Sequence, residues 1–325
     1  MTPTDPLAAL KSRKLAIVGY GNHGRSHALN LRDSGVENLR IGLREGSPSR
    51  AKAEAEGFTV GTVAEVAAWA DAISILAADE AHAEIWENDI APNRPHGQAL
   101  MFCHGYSIRY GLLDPAPDAD IILAAAKGPG GAVRTEYEKG RGLIGYWAVH
   151  RDASGTAKEL AIAYLEAIGC GRVGIFETTF EEEAVSDLFG EQAVLVGGLV
   201  ALAKASFKRL TAAGVSPRMA YIDCVHEMKY LADLIHERGI EGMYAAISDT
   251  AEFGARLCES DLADALGGEF DRLMDNIRSG RFAEEWNGEH RAGAPRMKAW
   301  RAADASEPVD IAGRELRARL KGGAD

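Results

Sequence analysis

Two residue patterns in this chain could do chemistry: a glycine-rich turn able to cradle phosphate, and carboxylates spaced to share a helix face. The first is Gly19-Tyr20-Gly21-Asn22-His23-Gly24, a GxGxxG that follows the apolar run Leu15–Val18 and precedes the helix-forming stretch His27–Ser34. In that context Gly19 permits a tight turn, Gly21 lets a pyrophosphate approach the backbone, and Gly24 lets helix and strand pack closely. About twenty residues on stands Arg44-Glu45-Gly46-Ser47-Pro48-Ser49. Glu45 could accept from a ribose 2′-hydroxyl, as in an NAD site. Arg44, Ser47 and Ser49 supply a cation and two hydroxyl donors, a set suited to a 2′-phosphate. NADPH is therefore the expected cofactor, although Ser47 or Ser49 could also cap the next helix.

The second pattern is a repeated spacing of four. Asp187 and Glu191 lie within Ser186-Asp-Leu-Phe-Gly-Glu-Gln192, and Asp223 and Glu227 within Asp223-Cys-Val-His-Glu-Met-Lys229. On a helix each pair shares one face. Both are flanked by apolar residues (Leu188, Phe189 and Ala193; Val225 and Met228), which places them near a buried face. Four carboxylates facing one another would make an oxygen-rich site for one or two Mg²⁺ ions. A solvated helix face gives the same spacing. His226-Glu227 has no second histidine at the position that a zincin needs.

The elements that must position these groups divide into two halves. Up to about Thr179, short apolar runs (Leu15–Val18, Leu39–Gly42, Ala72–Leu76, Ala99–Phe102, Ile121–Ala125 and Val173–Glu177) alternate with helical stretches such as Ala64–Ala70 and Thr156–Ile168. Buried parallel strands alternating with helices imply a doubly wound α/β domain of the Rossmann type, over residues 1–180. Beyond it, Asp187–Ala213, Pro217–His236, Glu241–Leu257, Leu262–Ser279 and Ala283–Ala302 read as successive helices punctuated by Gly214, Gly239 and Gly280. Residues 181–325 are then an all-helical domain for metal, substrate and dimerisation, since helices as apolar as Ala193–Ala205 must be covered.

Length suits two domains: 325 residues, 46% hydrophobic and 26% charged. A net charge of −12 argues against a partner with a phosphate backbone, leaving a small-molecule substrate. Four scattered cysteines (Cys103, Cys170, Cys224 and Cys258) fit a reducing, cytoplasmic setting. Met1–Arg13 has no apolar core of a signal peptide. The most apolar stretch, Ala193–Ala203, is too short and glycine-interrupted to cross a bilayer, so no membrane is expected.

Taken together, these segments resemble the short, bacterial class of the ketol-acid reductoisomerase family, from about Leu15 to Leu320. The matching motifs are the glycine turn with Ala28-Leu-Asn-Leu-Arg-Asp-Ser-Gly35, Leu43-Arg-Glu-Gly-Ser-Pro-Ser49, His104-Gly105, Lys127-Gly-Pro-Gly130, Glu177-Thr-Thr-Phe180, Asp187–Gln192, and Ile247-Ser248 with Thr250-Ala-Glu252. The resemblance implies NADPH- and Mg²⁺-dependent conversion of a 2-acetolactate-type substrate to a 2,3-dihydroxy acid, a step of branched-chain amino-acid synthesis. It implies Asp187 bridging the metals, Glu191 on one of them, and Asp223 and Glu227 as the second acidic pair. His104 and Lys127 would serve proton transfer near the nicotinamide, Ser248 would bind the substrate carboxylate, and Asp79 would lie at the cofactor. The helical domain would be knotted, and the active site completed across a homodimer or higher homo-oligomer.

Several positions depart from the family pattern: Asp223 stands for a glutamate, Ala126 and Ala78 for prolines, His23 for a glutamine, and Val200-Ala201 for a polar pair. Two activities therefore stay open, the full reductoisomerase and a paralogue that reduces another ketone or imine with NADPH without alkyl migration.

Overall fold

A computed structural model describes residues 5–321. Residues 1–4 and 322–325, at the ends of the two expected domains and of the Met1–Arg13 stretch, lie outside the described residues. The chain divides after Ser186 into two compact units.

The first unit opens with helix α1 (Ala8–Lys11) and is built on eight strands: β1 (Leu15–Val18), β2 (Leu39–Gly42), β3 (Thr59–Gly61), β4 (Ala72–Ile75), β5 (Ala99–Phe102), β6 (Ile121–Ala126), β7 (Gly145–Arg151) and β8 (Ile175–Glu177). They form one sheet in the order β3-β2-β1-β4-β5-β6-β7-β8. Pairing is parallel from β3 across to β6; β7 runs antiparallel to β6, and β8 parallel to β7. The strand order reverses between β1 and β4, the switch point where open α/β sheets bind ligands. Helices α2 (Asn22–Asp33), α3 (Arg50–Ala55), α4 (Val63–Trp69), α5 (His82–Ile85), α6 (Tyr106–Arg109), α7 (Gly130–Glu138) and α8 (Ala157–Ala167) connect the strands.

The central strands are buried on both faces, which is why they are unbroken apolar runs rather than alternating ones. Leu15 and Ile17 of β1 enter one apolar cluster, with Met101 and Tyr164; Ala16 and Val18 enter the other, with Ile75 and Leu123. The short β3 (Thr-Val-Gly) and the half-exposed β7 (Gly-Tyr-Trp-Ala-Val-His-Arg) lack such runs, and the sequence reading misses both.

Helix α9 (Phe180–Gly190) carries the chain across the division. The second unit continues with a π-helical turn, Glu191–Leu195, then α10 (Gly197–Ala212), α11 (Pro217–Tyr221), a second π-helical turn Ile222–His226, α12 (Met228–Tyr244, two helical pieces meeting at a kink at Gly239, φ 72°), α13 (Asp249–Arg278), α14 (Arg281–Arg291), α15 (Pro295–Asp304) and α16 (Pro308–Lys321). Three expected boundaries are corrected. The helix expected over Glu241–Leu257 is broken between Tyr244 and Asp249, where the extended Ser248 caps the next helix. The break expected between Leu257 and Leu262 is absent: α13 runs 30 residues, with Arg256 paired to both Glu252 and Glu259 across the place. The helix expected over Ala283–Ala302 is instead broken ahead of Pro295, as proline disfavours helical geometry in the residue before it.

Helix α9, the π turn and α10 follow one another over Phe180–Ala212, interrupted at Val196 (φ −121°, ψ −65°); the stretch is long and apolar enough to cross a membrane by length and composition only, a test that the core helix of a soluble protein also passes. Among the described residues of the second unit, Phe207, Ala220, Tyr221, Val309 and Ala312 form one buried apolar cluster. Leu195 (67%) and Phe253 (68%) are exposed, together with Val194, Leu199 and Leu257.

Candidate functional site

Strands β1, β4, β5 and β6 are parallel, so their exits lie along one edge of the sheet. At the β1 exit Gly19 has φ 101° and no room for a side chain, because a Cβ would sit 2.7 Å from the Ala77 nitrogen and the Leu76 oxygen. A Cβ on Gly24 would clash with the Gly19 carbonyl, whereas one on Gly21 would meet open space. Gly21 is also the N-cap of α2, with no side-chain cap and no acidic residue in the first helical turn. Those are the features of an anion-binding helix start, and they fit the pyrophosphate of a dinucleotide. The β6 exit leans on this turn: a Cβ on Gly130 would lie 2.7 Å from the His23 nitrogen. Lys127-Gly-Pro-Gly130 is thereby set beside the glycine turn.

The β5 and β6 exits meet on one carboxylate. Glu183, in the first turn of α9, is 4% exposed. Its Oε2 lies 2.9 Å from His104 Nδ1 and accepts from the Gly105 N–H at 2.7 Å, while Lys127 Nζ donates to Oε1 at 3.1 Å. Burial alone would raise its pKa; the His104 hydrogen bond, the charges of His104 and Lys127, and the Gly105 N–H outweigh that and hold it below the usual value. The approach is close by construction, since a Cβ on Gly105 would strike the Phe180 carbonyl at the start of α9. The Tyr106 ring stacks on His104 at 6.0 Å. His104, Glu183 and Asp187 offer donor atoms within 4.8 Å of one another, both carboxylates being carried one turn apart by α9.

Sequence reading missed Glu183, although a signal was present. Glu183, Asp187 and Glu191 continue a single spacing of four, which picks the third of three consecutive glutamates as the one on the acidic face.

The other expected residues fall in two places. At the β4 exit, Asp79 starts a short 3₁₀ turn, and burial raises its pKa. At the β2 exit Arg44 is exposed, and Ser47 and Ser49 are half-exposed. Ser49 stands at the N-cap of α3 without capping it through its side chain. The Tyr20 hydroxyl donates to Glu56 at 2.6 Å, and the His23 ring packs edge-on against His27 at 5.8 Å. In the second unit Asp187 is half-buried and Glu191 opens the π turn. Asp223 and Glu227 are exposed, which corrects the expectation of a buried face, and among the described residues they are not gathered with Asp187 and Glu191 into one group of metal donors. Ser248 caps α13, accepting from the Ala251 N–H at 3.3 Å.

Residues 9–174 match the family description "Acetohydroxy acid isomeroreductase, NADPH-binding domain", and residues 180–321 match "Ketol-acid reductoisomerase, C-terminal domain". The chain belongs to the ketol-acid reductoisomerase family. It is similar to an NADH-preferring ketol-acid reductoisomerase from an uncultured archaeon, with 39% identity and a TM-score of 0.93 over 97% of this chain and 96% of that one. Fold alone is shared with a semialdehyde dehydrogenase NAD-binding protein from Cupriavidus necator (20% identity, TM-score 0.62, 82% of this chain and 99% of that one). The same holds for a pyrroline-5-carboxylate reductase from Coxiella burnetii (13%, TM-score 0.57, 82% and 98%). This reductoisomerase-family chain is an oxidoreductase with a nicotinamide-binding Rossmann domain and a helical C-terminal domain, as the motif series implies.

Proposed function

We propose that this protein converts a 2-acetolactate-type substrate to a 2,3-dihydroxy acid by alkyl migration followed by hydride reduction, using NADPH and Mg²⁺, in the cytoplasm and in branched-chain amino-acid synthesis. The observation that carries the proposal is the convergence of His104, Gly105 and Lys127 on buried Glu183, with Asp187 one turn further along the same helix.

The donor set fits a hard divalent cation, since Asp187 and Glu191 offer carboxylate oxygens one turn apart. Asp187 and Glu191 would hold Mg²⁺, with Asp223 and Glu227 supplied by a second copy of the chain. When bound, the cation supplies positive charge that draws the substrate's oxygens together and stabilises the charge developing during migration. Lys127 brings three donors and Glu183 brings acceptors, so the pair can take the substrate's hydroxyl proton and return one after reduction. With Nδ1 engaged by Glu183, proton exchange at His104 runs through Nε2. Ser248 uses its oxygen lone pair to cap α13, which leaves its hydroxyl hydrogen to donate to a substrate carboxylate.

Arg44, Ser47 and Ser49 support NADPH, while Glu45 on the same loop and the NADH-preferring relative support NADH as the second reading. The exposed apolar residues of the second unit support a homodimer or higher homo-oligomer. The knotted helical path belongs to the same proposal.

The test is oxidation of reduced cofactor with 2-acetolactate and with 3-hydroxy-3-methyl-2-oxobutanoate, each with and without Mg²⁺. Turnover of both, the first only with Mg²⁺, is expected. Activity on the second alone removes the isomerase step. Activity on neither, with turnover of other ketones or imines, favours the paralogue.

A further inference from the structure

We propose that His82 is a positioning residue whose imidazole holds the cofactor-side turn after β4 and the His104 loop after β5 in one register. The inference rests on the reading above that these two exits flank the nicotinamide and the proton-transfer groups.

His82 is 2% exposed, in the first turn of α5. Its Nε2 lies 3.1 Å from the Ala77 carbonyl oxygen and its Nδ1 2.7 Å from Ser107 Oγ. A carbonyl oxygen only accepts, so Nε2 carries the proton and Nδ1 accepts from the Ser107 hydroxyl. Burial lowers the imidazole's pKa, which keeps this neutral tautomer in place. The Phe102 ring at 5.9 Å limits rotation, and Asp79 at 3.9 Å from Nδ1 is beyond hydrogen-bond range.

What distinguishes His82 from an ordinary satisfied core histidine is where its two partners lead. Ala77 belongs to the turn pressed against Gly19, with its nitrogen 2.7 Å from where a Gly19 Cβ would sit. Ser107 is fully buried in α6, three residues beyond His104 and next to Tyr106, whose ring stacks on His104. One imidazole therefore spans two strand exits, one beside the hydride donor and the other beside the proton-transfer group. A misplacement on the order of 1 Å between reacting groups lowers a rate about 100-fold, so a bridge of this kind acts on turnover as well as on stability.

The test compares purified wild type with His82→Phe, which keeps a ring and loses both bonds; His82→Gln, which keeps a donor and an acceptor; and Ser107→Ala, which loses one bond. His82→Phe is expected to lower kcat at least ~10-fold and to weaken NADPH binding, read by fluorescence titration, several-fold. Ser107→Ala is expected to lower kcat while leaving cofactor affinity in place, because the Ala77 bond remains. The double variant is expected to be no worse than His82→Phe, and His82→Gln to recover most of the loss. Unchanged kcat and affinity in His82→Phe, a fall in Tm alone, or additive losses in the double variant would overturn the proposal. If His82→Phe does not fold, Ser107→Ala decides: wild-type kcat there overturns it. Failure of the wild type to bind reduced cofactor counts against the functional reading instead.

Discussion

A buried carboxylate needs partners to stay charged, and Glu183 has three donors around it: the His104 ring, the Gly105 N–H and the Lys127 ammonium. Glu183→Gln would keep the size and leave an amide among groups arranged for a negative charge. kcat is expected to fall about 100-fold while the chain stays folded, measured as cofactor oxidation at saturating substrate. The variant also reports on pH. Glu183 titrates below the ordinary glutamate value of 4.5, so the stability it contributes is fully present above 4.5 and is lost as pH falls through its lowered value. Urea midpoints of the glutamine variant should fall less steeply than those of wild type as pH drops below 4.5. Spacing alone could have placed this residue on the acidic face. Its burial could not be read, because Glu181 and Glu182 are chemically identical neighbours that end up exposed. Which of the three is enclosed depends on the His104 and Lys127 loops, nearly 80 and 56 residues away.

At the scale of elements, apolar runs carried the reading. Strands β1, β2, β4, β5 and β6 stood out as such runs, and the short, largely exposed β8 was read within Val173–Glu177; β3 (Thr-Val-Gly) has too little apolar character to mark a run, and a half-exposed β7 ending in His150-Arg151 looks like loop. The glycine turn was legible because a positive φ at Gly19 and the clash at Gly24 leave few residue types possible. What holds the neighbouring loop was not. Glu56, at the end of α3, takes the Tyr20 hydroxyl at 2.6 Å and the Arg25 guanidinium at 2.8 Å, tying the glycine turn to the far end of the helix that Ser49 begins. Arg25 is thereby committed to Glu56, and Arg44 is left as the exposed cation at the β2 exit. Replacing Arg44 and Ser47 together with alanine removes a charged and a neutral donor to a 2′-phosphate, each hydrogen bond to a charged group contributing about 1.5–3 kcal/mol. kcat/KM with NADPH should drop at least ~10-fold, and kcat/KM with NADH should change by less than about 3-fold. Equal losses with both cofactors would mean that the loop does not read the phosphate.

For the whole molecule, the question is what covers the second unit. Val194, Leu195, Leu199, Phe253 and Leu257 are exposed in the second unit, and a monomer rarely leaves so many large apolar side chains in water. The exposed acidic pair Asp223 and Glu227 raises the same question in polar form, since carboxylates meant for a metal need a facing set. The proposed two-fold partner would answer both: it would cover the apolar face and bring one chain's Asp223 and Glu227 to the other chain's Asp187 and Glu191. Asp187→Asn and Asp223→Asn should each abolish activity alone. Co-expressed in equal amounts with random pairing, half the dimers are mixed, and each mixed dimer has one site with every carboxylate intact. About a quarter of wild-type activity should return. If each site were built within a single chain, no pairing would restore it, and the mixture would stay inactive. A chain that sediments as a monomer, or that requires detergent to stay dispersed, would refute the two-fold reading and turn attention to Phe180–Ala212 as a membrane-associated stretch.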